Sequence, residues 1–465
     1  MIRAAASELE SVLGAKLIGD ESVQVTGSVE TDSRLVGEGS LFIAKPGEQA
    51  DGHDFVSDAK QKGAVLAIVQ RPVDVDITQL VVSDSVEALG LLAAWLIEKL
   101  KSKGKLKVIG ITGSNGKTTT KNMLRGILSK LGNTIAPIES FNNKVGAPIS
   151  ILRADLATDF LVVEMGAEGI GSIAYLAKMA RPDIGVILKV GMAHAGEFGG
   201  IENTALIKGE LAEAIEEGGL LVLNSDDGMV SEMKNRTRAK VHFFGTNSEA
   251  EFSATEITLT KTGTSFDLKW PDGEETTVAL RILGEHHIMN ALAAATVASL
   301  LGATKSQIIG ALEAMELAER WRMQRLVRSD GVTIINDAYN ASPDSMKAAL
   351  QTLAQLGKMG SKTVAVLGEM AELGEYSIHE HDAIGRLVVR YNIDQLVVVG
   401  AGAKLIHMGA SQEGSWDGES QFFLSIDEAL DYLRGILADG DTVLVKSSKS
   451  ANLRFLGDDL MEQSK

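Results

Sequence analysis

Short apolar runs alternate with helical patterns through the middle of the chain. The runs at residues 106–112, 160–163, 184–190 and 220–223 are typical of buried strands. Apolar positions 123, 124, 127, 128 and 131 follow the first run and recur at the spacing of one helix face. Glycine-rich turns separate these segments. The alternation predicts an α/β domain built on a parallel sheet.

Two further patterns follow this domain core. Over residues 252–282, apolar and polar positions alternate around turns at Thr262-Gly263 and Pro271-Asp272-Gly273. That pattern predicts an antiparallel meander. Beyond residue 316, apolar runs at 332–335, 363–367, 396–399 and 442–445 again alternate with helical segments, so we predict a second parallel α/β domain.

The first 85 residues have a different pattern of apolar and polar positions. Their apolar runs, such as residues 64–69, are short and are separated by Gly, Asp and Pro. A helical stretch at 86–100 leads into the lysine-rich segment 99–107, which we interpret as a solvated connector, with attraction of an incoming anion as the alternative. At roughly 150 residues per domain, 465 residues correspond to about three domains. We predict domains at residues 1–85, 86–315 and 316–465.

Composition narrows the classes of function. With 45 basic and 62 acidic residues the net charge is −17, which argues against nucleic acid or an anionic membrane as the main partner. The absence of cysteine excludes disulfides, iron–sulfur clusters, thiolate zinc sites and a cysteine nucleophile. The longest apolar runs are too short to span a bilayer, and Glu8 and Glu10 stand where a signal peptide would be basic or apolar. We expect a cytoplasmic protein.

A glycine-rich segment between a predicted strand and a predicted helix carries the clearest chemistry. It reads Gly113-Ser114-Asn115-Gly116-Lys117-Thr118-Thr119. Glycines let the backbone wrap a phosphate, the helix N-terminus offers N–H groups, and Lys117 can reach the terminal phosphates. Ile111 replaces a glycine of the usual form, so the loop is a variant, and a glycine turn with a chance lysine is the alternative. The segment 143–146 lacks the aspartate that guanine recognition requires, which favours ATP.

Charged groups follow two neighbouring predicted strands. Glu164 ends the run at 160–163, where its carboxylate can hold Mg²⁺ at the carboxyl edge of the sheet or can cap the next helix. His194 follows the run at 184–190 and is either a metal ligand at the same edge or a loop histidine. Lys208 on its own reads as an exposed helical lysine.

Taken together, these motifs resemble the Mur ligase family over nearly the whole chain. The resembling segments are residues 32–34, 41–44, 51–55, 110–119, 140–148, 164–167, 194, 208–210, 284–294, 336–346 and 368–374. The resemblance implies a three-domain α/β fold with a central P-loop ATPase-like parallel sheet and a C-terminal Rossmann-like domain. Residues 337–346 and 368–374 resemble the branch that joins D-alanyl-D-alanine to UDP-N-acetylmuramoyl-tripeptide.

The resemblance also implies a role for each matching residue. Those implied to bind ATP are Gly113, Ser114, Asn115, Gly116, Lys117, Thr118, Thr119, Asn290, Arg322, Asp337 and Asn340. Those implied to place two magnesium ions are Thr118, Glu164, His194 and Lys208, the last as a carbamate. Ser33 and Arg34 would meet the uridine diphosphate, and Asn142 and Asn143 the muramoyl-peptide. The catalytic set is Lys117, Glu164, His194, Lys208 and Arg322.

Three positions depart from the family pattern. His287 stands where asparagine is common, and Trp321 stands where glycine is common. Lys446-Ser447-Ser448-Lys449 replaces Lys-Gly-Ser-Arg, the segment implied to contact the dipeptide.

The implied reaction is activation of the tripeptide carboxylate by ATP as an acyl phosphate, followed by attack of the dipeptide amine. ATP and Mg²⁺ are the expected cofactors, and we expect a monomer. A sister ligase that adds a single amino acid, including folylpolyglutamate synthase, is the nearest alternative. A regulatory ATPase that forms no bond is the alternative from another class.

Overall fold

The computed structural model describes residues 3–47, 50–137, 141–193, 195–316, 320–414 and 419–462. In this part of the chain the strands form three large sheets and one two-stranded ribbon, Ala4–Ala5 with Gln24–Val25. Among these residues no helix is long and apolar enough to cross a membrane. The predicted α/β class is confirmed.

The N-terminal sheet lies within residues 16–81. Its strands, in spatial order, are Lys16–Ile18, Thr78–Val81, Ala64–Val69, Ser40–Ile43 and Val29–Glu30. Only the first pairing is antiparallel. The helical segments of this region are Ala6–Leu13, Ser33–Leu35, Gly52–Phe55 and Val56–Gln61.

The central sheet spans residues 107–280. Its order is Glu275–Leu280, Thr264–Lys269, Phe252–Leu259, Lys240–Gly245, Leu220–Asn224, Ile184–Ile187, Lys107–Thr112, Phe160–Glu164 and Thr134–Ile135. The strands Phe252–Leu259, Thr264–Lys269 and Glu275–Leu280 pair antiparallel, which confirms the predicted meander. All other pairings in this sheet are parallel. The carboxyl ends of its parallel strands therefore share one edge.

Helices cover both faces of the central sheet. They are Ser85–Lys103, Lys117–Leu128, Gly146–Ile151, Ser172–Ala180, Ala195–Phe198, Ile201–Ala214, Gly228–Ser231, Glu232–Arg236, His286–Leu300 and Lys305–Glu313. Apolar side chains of the parallel strands are buried on both sides, as expected for a sheet between helical layers.

The lysine-rich segment is not merely a solvated connector. The helix Ser85–Lys103 continues into it, and Lys99 contacts Glu8 and lies 4.5 Å from the centre of the Trp95 ring. Lys101 Nζ lies 2.9 Å from Asp183 Oδ2. These lysines are ion-paired within the chain because the helix packs between the N-terminal and central regions.

The C-terminal sheet has the order Gln324–Val327, Thr333–Asn336, Thr442–Lys446, Thr363–Leu367, Gln395–Val399 and Ser420–Phe423. Only its first pairing is antiparallel. The helices are Pro343–Lys358, Ser377–Arg390, Lys404–Glu413, Ile426–Ile436 and Leu453–Asp459, with short turns at Gly374–Tyr376, Ala401–Ala403 and Lys449–Ala451.

The C-terminal domain lies directly against the central one. Asp344, in the first turn of its helix, accepts a hydrogen bond from the Met192 backbone N–H at 3.0 Å and pairs with Lys189 at 2.9 Å. A Cβ added at Gly191 would lie 2.4 Å from an Asp344 oxygen, and one added at Gly196 would lie 2.3 Å from the Leu373 backbone. Gly191 therefore admits the Asp344 side chain, and Gly196 permits backbone-to-backbone contact between the domains.

We predict that Asp344→Ala loosens this contact. Losing the ion pair and the backbone hydrogen bond costs about 1–2 kcal/mol, which shifts the ratio of closed to open molecules by roughly tenfold. Small-angle X-ray scattering should report a larger radius of gyration with an unchanged circular dichroism spectrum. Asp431→Ala, an exposed site on the same domain, is the control. Identical scattering of the two variants would contradict the prediction.

Candidate active site

The glycine-rich loop lies at the carboxyl edge of the central sheet, between the strand Lys107–Thr112 and the helix Lys117–Leu128. Gly116 adopts φ +88° directly before the helix, and a Cβ there would lie 2.2 Å from Asn290 Oδ1. Ser114 is held from the neighbouring loop, because its backbone N–H donates to Lys189 O and its Oγ accepts from the Gly191 N–H. The loop is therefore a rigid cradle at the helix N-terminus, the arrangement that binds phosphate.

Lys117 folds back over this loop. Its Nζ donates to Gly113 O at 2.6 Å. Burial lowers the pKa of Lys117, the Glu164 carboxylate opposes that change, and the Arg322 guanidinium adds to it. The side chain is thus held at the loop, where its charge can act on a phosphate.

Glu164 ends the strand Phe160–Glu164 and meets the side of the loop helix. Thr118 Oγ1 donates to Glu164 Oε2 at 3.2 Å, and Lys121 Nζ lies 2.9 Å from Glu164 Oε1. The side chains of Lys121 and Glu164 are only 1% and 2% exposed. Lys121 was not among the residues predicted for the site. Its position one turn beyond Thr118, on the same face of the predicted helix, is the feature of the sequence that indicates it.

The residues here fit a magnesium ion. Thr118 and Glu164 supply neighbouring oxygen donors, which Mg²⁺ prefers, and buried Glu164 Oε1 accepts no well-directed hydrogen bond from the described residues. The described ranges contain no group of three or more His, Asp or Glu that could hold a metal. A protein site of few ligands is typical of Mg²⁺, which takes others from phosphates and water. His194 lies outside the described residues.

Lys208 lies on the helix Ile201–Ala214, and the expectation of an exposed lysine is wrong. The residue is 2% exposed, because the helix packs against the sheet with that face inward. Burial, with a smaller contribution from the Lys117 charge, lowers the pKa of Lys208 to about 7. Lys208 is therefore largely a neutral amine at mildly alkaline pH.

The helix of Lys208 is tied down on both sides of that residue. Glu210 accepts hydrogen bonds from the backbone N–H groups of Gly171 at 2.6 Å and Ala174 at 2.9 Å. A Cβ at Gly209 would lie 1.9 Å from Arg236 Nη1, so only glycine lets the guanidinium lie across the helix. These contacts fix the direction of the lysine.

A cavity of about 800 Å³ opens between the loop and the C-terminal domain. The predicted ATP-binding residues that line it are Ser114, Asn115, Gly116, Lys117, Thr118, Thr119, Asn290, Arg322, Asp337 and Asn340. Asn142, predicted to meet the peptide, also lines it. The walls thus bring together residues that are more than 200 positions apart in the chain.

Two histidines, His286 and His287, line this cavity. Burial lowers the pKa of His286 to about 4, with Asp337 opposing the change. His287, one of the departures from the family pattern, has its pKa lowered by burial and by His286, and its Nε2 has no hydrogen-bond partner among the described residues. Both histidines are therefore neutral at pH 7.

Asp337, which also lines the cavity, is paired with Lys446 at 2.5 Å and accepts from the Met323 backbone N–H at 2.9 Å. The side chain of Lys446 therefore points toward Asp337. The resemblance, in contrast, implied that the segment 446–449 contacts the dipeptide. Arg322 and Lys449 both lie over the ring of Tyr339, at 4.1 and 5.5 Å from its centre.

The segment 368–374, which carries part of the resemblance, lies beside the departing segment 446–449. Ser448 N–H donates to Glu369 O at 2.9 Å, and Ser448 Oγ accepts from Ala371 N–H at 2.8 Å. Gly374, in the same segment, packs on Gly196 of the central domain. Residues 368–374 and 446–449 thus form one wall beside the cavity.

The remaining predicted substrate residues lie away from the cavity lining. Ser33 is buried, whereas the exposed Arg34 pairs with Asp32 at 2.6 Å, which lowers the pKa of Asp32 to about 2. Asn143 Oδ1 accepts from the N–H groups of Val145 and Gly146, as a turn-capping side chain does.

Trp321 shows how the departure from glycine is accommodated. It adopts φ +64°, a conformation that is costly for a bulky residue. Its indole N–H donates to Asp458 at 2.9 Å, and the ring meets Phe455 edge-on at 6.0 Å between centres. These contacts hold the strained residue in place.

Comparison with known families gives three matching domain models. The Mur ligase family catalytic domain matches residues 26–93, the Mur ligase middle domain matches 111–298, and the Mur ligase glutamate ligase domain matches 321–449.

Whole-chain relatives give the same result. The UDP-N-acetylmuramoyl-tripeptide--D-alanyl-D-alanine ligase of Mycobacterium tuberculosis is 41% identical, over 99% of this chain and 98% of that protein. MurF from Acinetobacter baumannii superposes with a TM-score of 0.89 at 32% identity, over 99% of each chain. MurF ligase from Thermotoga maritima, solved in complex with ADP, gives 0.81 at 28% identity, over 94% of this chain and 98% of that one. The chain belongs to the Mur ligase family.

Proposed function

We propose that this chain joins D-alanyl-D-alanine to the terminal carboxylate of UDP-N-acetylmuramoyl-tripeptide, with ATP converted to ADP and phosphate, in peptidoglycan synthesis. The observation that carries the proposal is the cavity between the loop of Lys117 and the C-terminal domain, lined by ten residues expected to bind ATP. The similarity to ligases named for this reaction extends over 99% of the chain.

The chemistry requires a carboxylate to approach a triphosphate of like charge. Lys117, fixed over the loop, offsets that repulsion at the terminal phosphates, and Arg322 adds positive charge from the C-terminal domain. Thr118 and Glu164 would hold a magnesium ion, which supplies further charge neutralisation. The two domains align the reacting groups and exclude water.

The attack of the carboxylate on the γ-phosphorus forms an acyl phosphate and releases ADP. The dipeptide amine then attacks the acyl carbon, and phosphate leaves from a tetrahedral intermediate. We assign the uridine diphosphate to Ser33 and Arg34 in domain 1–85, the muramoyl-peptide to Asn142 and Asn143 in domain 86–315, and the dipeptide to domain 316–465.

Lys208 is assigned to the metal site as a carbamate. A neutral amine is the form that reacts with carbon dioxide, and the pKa of about 7 makes that form abundant above neutral pH. The carbamate would present oxygen donors beside those of Glu164, with His194 as a further ligand. We also propose that the enzyme works as a monomer in the cytoplasm.

The two alternatives differ in what they need for turnover. A ligase of this specificity releases ADP only when both the nucleotide-peptide and D-alanyl-D-alanine are present. A sister ligase would accept a single amino acid such as glutamate or D-alanine, and a regulatory ATPase would hydrolyse ATP without either substrate.

We predict that Lys117→Ala lowers the turnover rate by on the order of 10²–10³, because its charge acts on the transition state. The measurement is ADP release at saturating ATP with both substrates. Lys105→Ala, which removes an exposed lysine of the connector, is the control. A near-normal rate for Lys117→Ala would remove the lysine from the reaction.

The decisive experiment follows oxygen. Tripeptide labelled with heavy oxygen in its terminal carboxylate should give inorganic phosphate that carries one labelled atom, because the bridging oxygen of the acyl phosphate leaves with phosphorus. Mass spectrometry of the phosphate reads this directly. Unlabelled phosphate would indicate hydrolysis by water, and labelled AMP would indicate adenylation. Either result would overturn the acyl-phosphate route.

For Lys208 we predict a pH-dependent stability difference. Lys208 has a pKa of about 10.5 in the unfolded chain and about 7 in the folded one. Between these values unfolding takes up a proton, which lowers the free energy of unfolding, and this loss of stability shrinks as the pH rises toward 10.5. In bicarbonate-free buffer, Lys208→Met should therefore raise the melting temperature by on the order of 5 °C at pH 7, with a smaller gain at pH 9.5.

Added bicarbonate separates the two states of the lysine. Carbamylation stabilises only a chain that contains Lys208, so bicarbonate at pH 8 should raise the melting temperature of the wild type and leave that of Lys208→Met unchanged. The same response from both proteins would exclude the carbamate.

A further inference from the structure

Lys121 is a fully buried lysine beside the active site, and no role has been assigned to it so far. Its side chain is 1% exposed, whereas lysine is almost never buried unless it is paired. It lies on the helix Lys117–Leu128, one turn beyond Thr118, and faces the end of the strand that carries Glu164. The helix therefore directs a hydroxyl and an ammonium at one carboxylate.

The carboxylate is held from both sides by this helix face. Thr118 Oγ1 lies 3.2 Å from one oxygen of Glu164, and Lys121 Nζ lies 2.9 Å from the other. Both partners come from a rigid helix, so the orientation of the carboxylate is fixed before any ligand binds. The other side of the helix faces elsewhere, because Thr120 donates to Asn290.

The charge of Lys121 has a consequence for cations. A cation that approaches Glu164 Oε1 meets an ammonium already 2.9 Å from that oxygen, with Lys117 as a second positive charge acting on Glu164. Like charges at such separations in a buried site repel strongly. A nucleotide triphosphate reverses this balance, because it brings several negative charges to the loop.

We propose that Lys121 is a positioning residue that neutralises and orients Glu164 while no nucleotide is bound, so that the divalent cation enters with the triphosphate and not before it. This inference rests on the proposed use of a nucleotide at this loop. It does not depend on which acid or amine the enzyme joins.

The test measures metal binding without nucleotide. Mn²⁺ is titrated into the full-length protein, and free Mn²⁺ is followed by electron paramagnetic resonance. Lys121→Met, which keeps the length and removes the charge, should bind Mn²⁺ at least about tenfold more tightly than the wild type. Lys130→Met removes an exposed charge near the end of the same helix and should match the wild type.

Two further variants identify the interaction. Lys121→Arg retains the charge and should bind Mn²⁺ as weakly as the wild type. In Lys121→Met combined with Glu164→Gln the gain should disappear, because the ligand that Lys121 protects is gone. Circular dichroism checks folding, and Lys121→Gln replaces the methionine variant in every comparison if that variant does not fold.

An equal dissociation constant for wild type and Lys121→Met would overturn the proposal and leave Lys121 as a structural residue. A gain that persists after Glu164→Gln would overturn it as well, since the metal would then bind elsewhere. These titrations contain no ligase substrate. A chain that failed the ligase assay would therefore still give a valid test of the role of Lys121.

Discussion

A buried carboxylate, Glu164, balances the positive charge that the central domain places at its phosphate loop. Lys121 is buried against it and Lys117 lies nearby at the loop, although the protein as a whole carries a net charge of −17. Placing two lysines beside one buried carboxylate is unfavourable unless further negative charge offsets them. The site therefore carries excess positive charge, and it is suited to bind a polyanion such as a polyphosphate, whose negative charge offsets that excess.

The second requirement is that two domains form one cavity. The central domain supplies the loop and the helix that begins at His286, while the C-terminal domain supplies Asp337 and Asn340. Asp344 joins the domains next to the loop, through Lys189 and the Met192 backbone. Ser114 of the phosphate cradle is hydrogen-bonded to Lys189 and Gly191 in the same short segment. The position of the C-terminal domain and the shape of the cradle are therefore mechanically linked.

Local pattern was sufficient for much of this architecture. The apolar runs predicted four strands of the central sheet and four of the C-terminal sheet, the turn signals predicted the meander, and glycine spacing predicted the loop. What escaped prediction depends on packing between distant segments. Burial of Lys208, the pairing of Lys121 with Glu164 and the contact of Lys446 with Asp337 all join residues that are brought together only by the completed sheets. A lysine on a helix carries no local sign of whether its face will be covered.

The strained Trp321 anchors the backbone next to Arg322. The backbone of Trp321 accepts from Tyr339 N–H, its N–H donates to the Gln324 side chain, and its indole is attached to Asp458, all within the C-terminal domain. All these partners belong to the C-terminal domain, so the backbone that leads into Arg322 is fixed to that domain. Arg322 therefore brings a positive charge of the C-terminal domain to the neighbourhood of Lys117 in the central domain. The phosphate loop thus obtains its arginine from a second domain of the same chain, and that charge acts there only while the two domains are together.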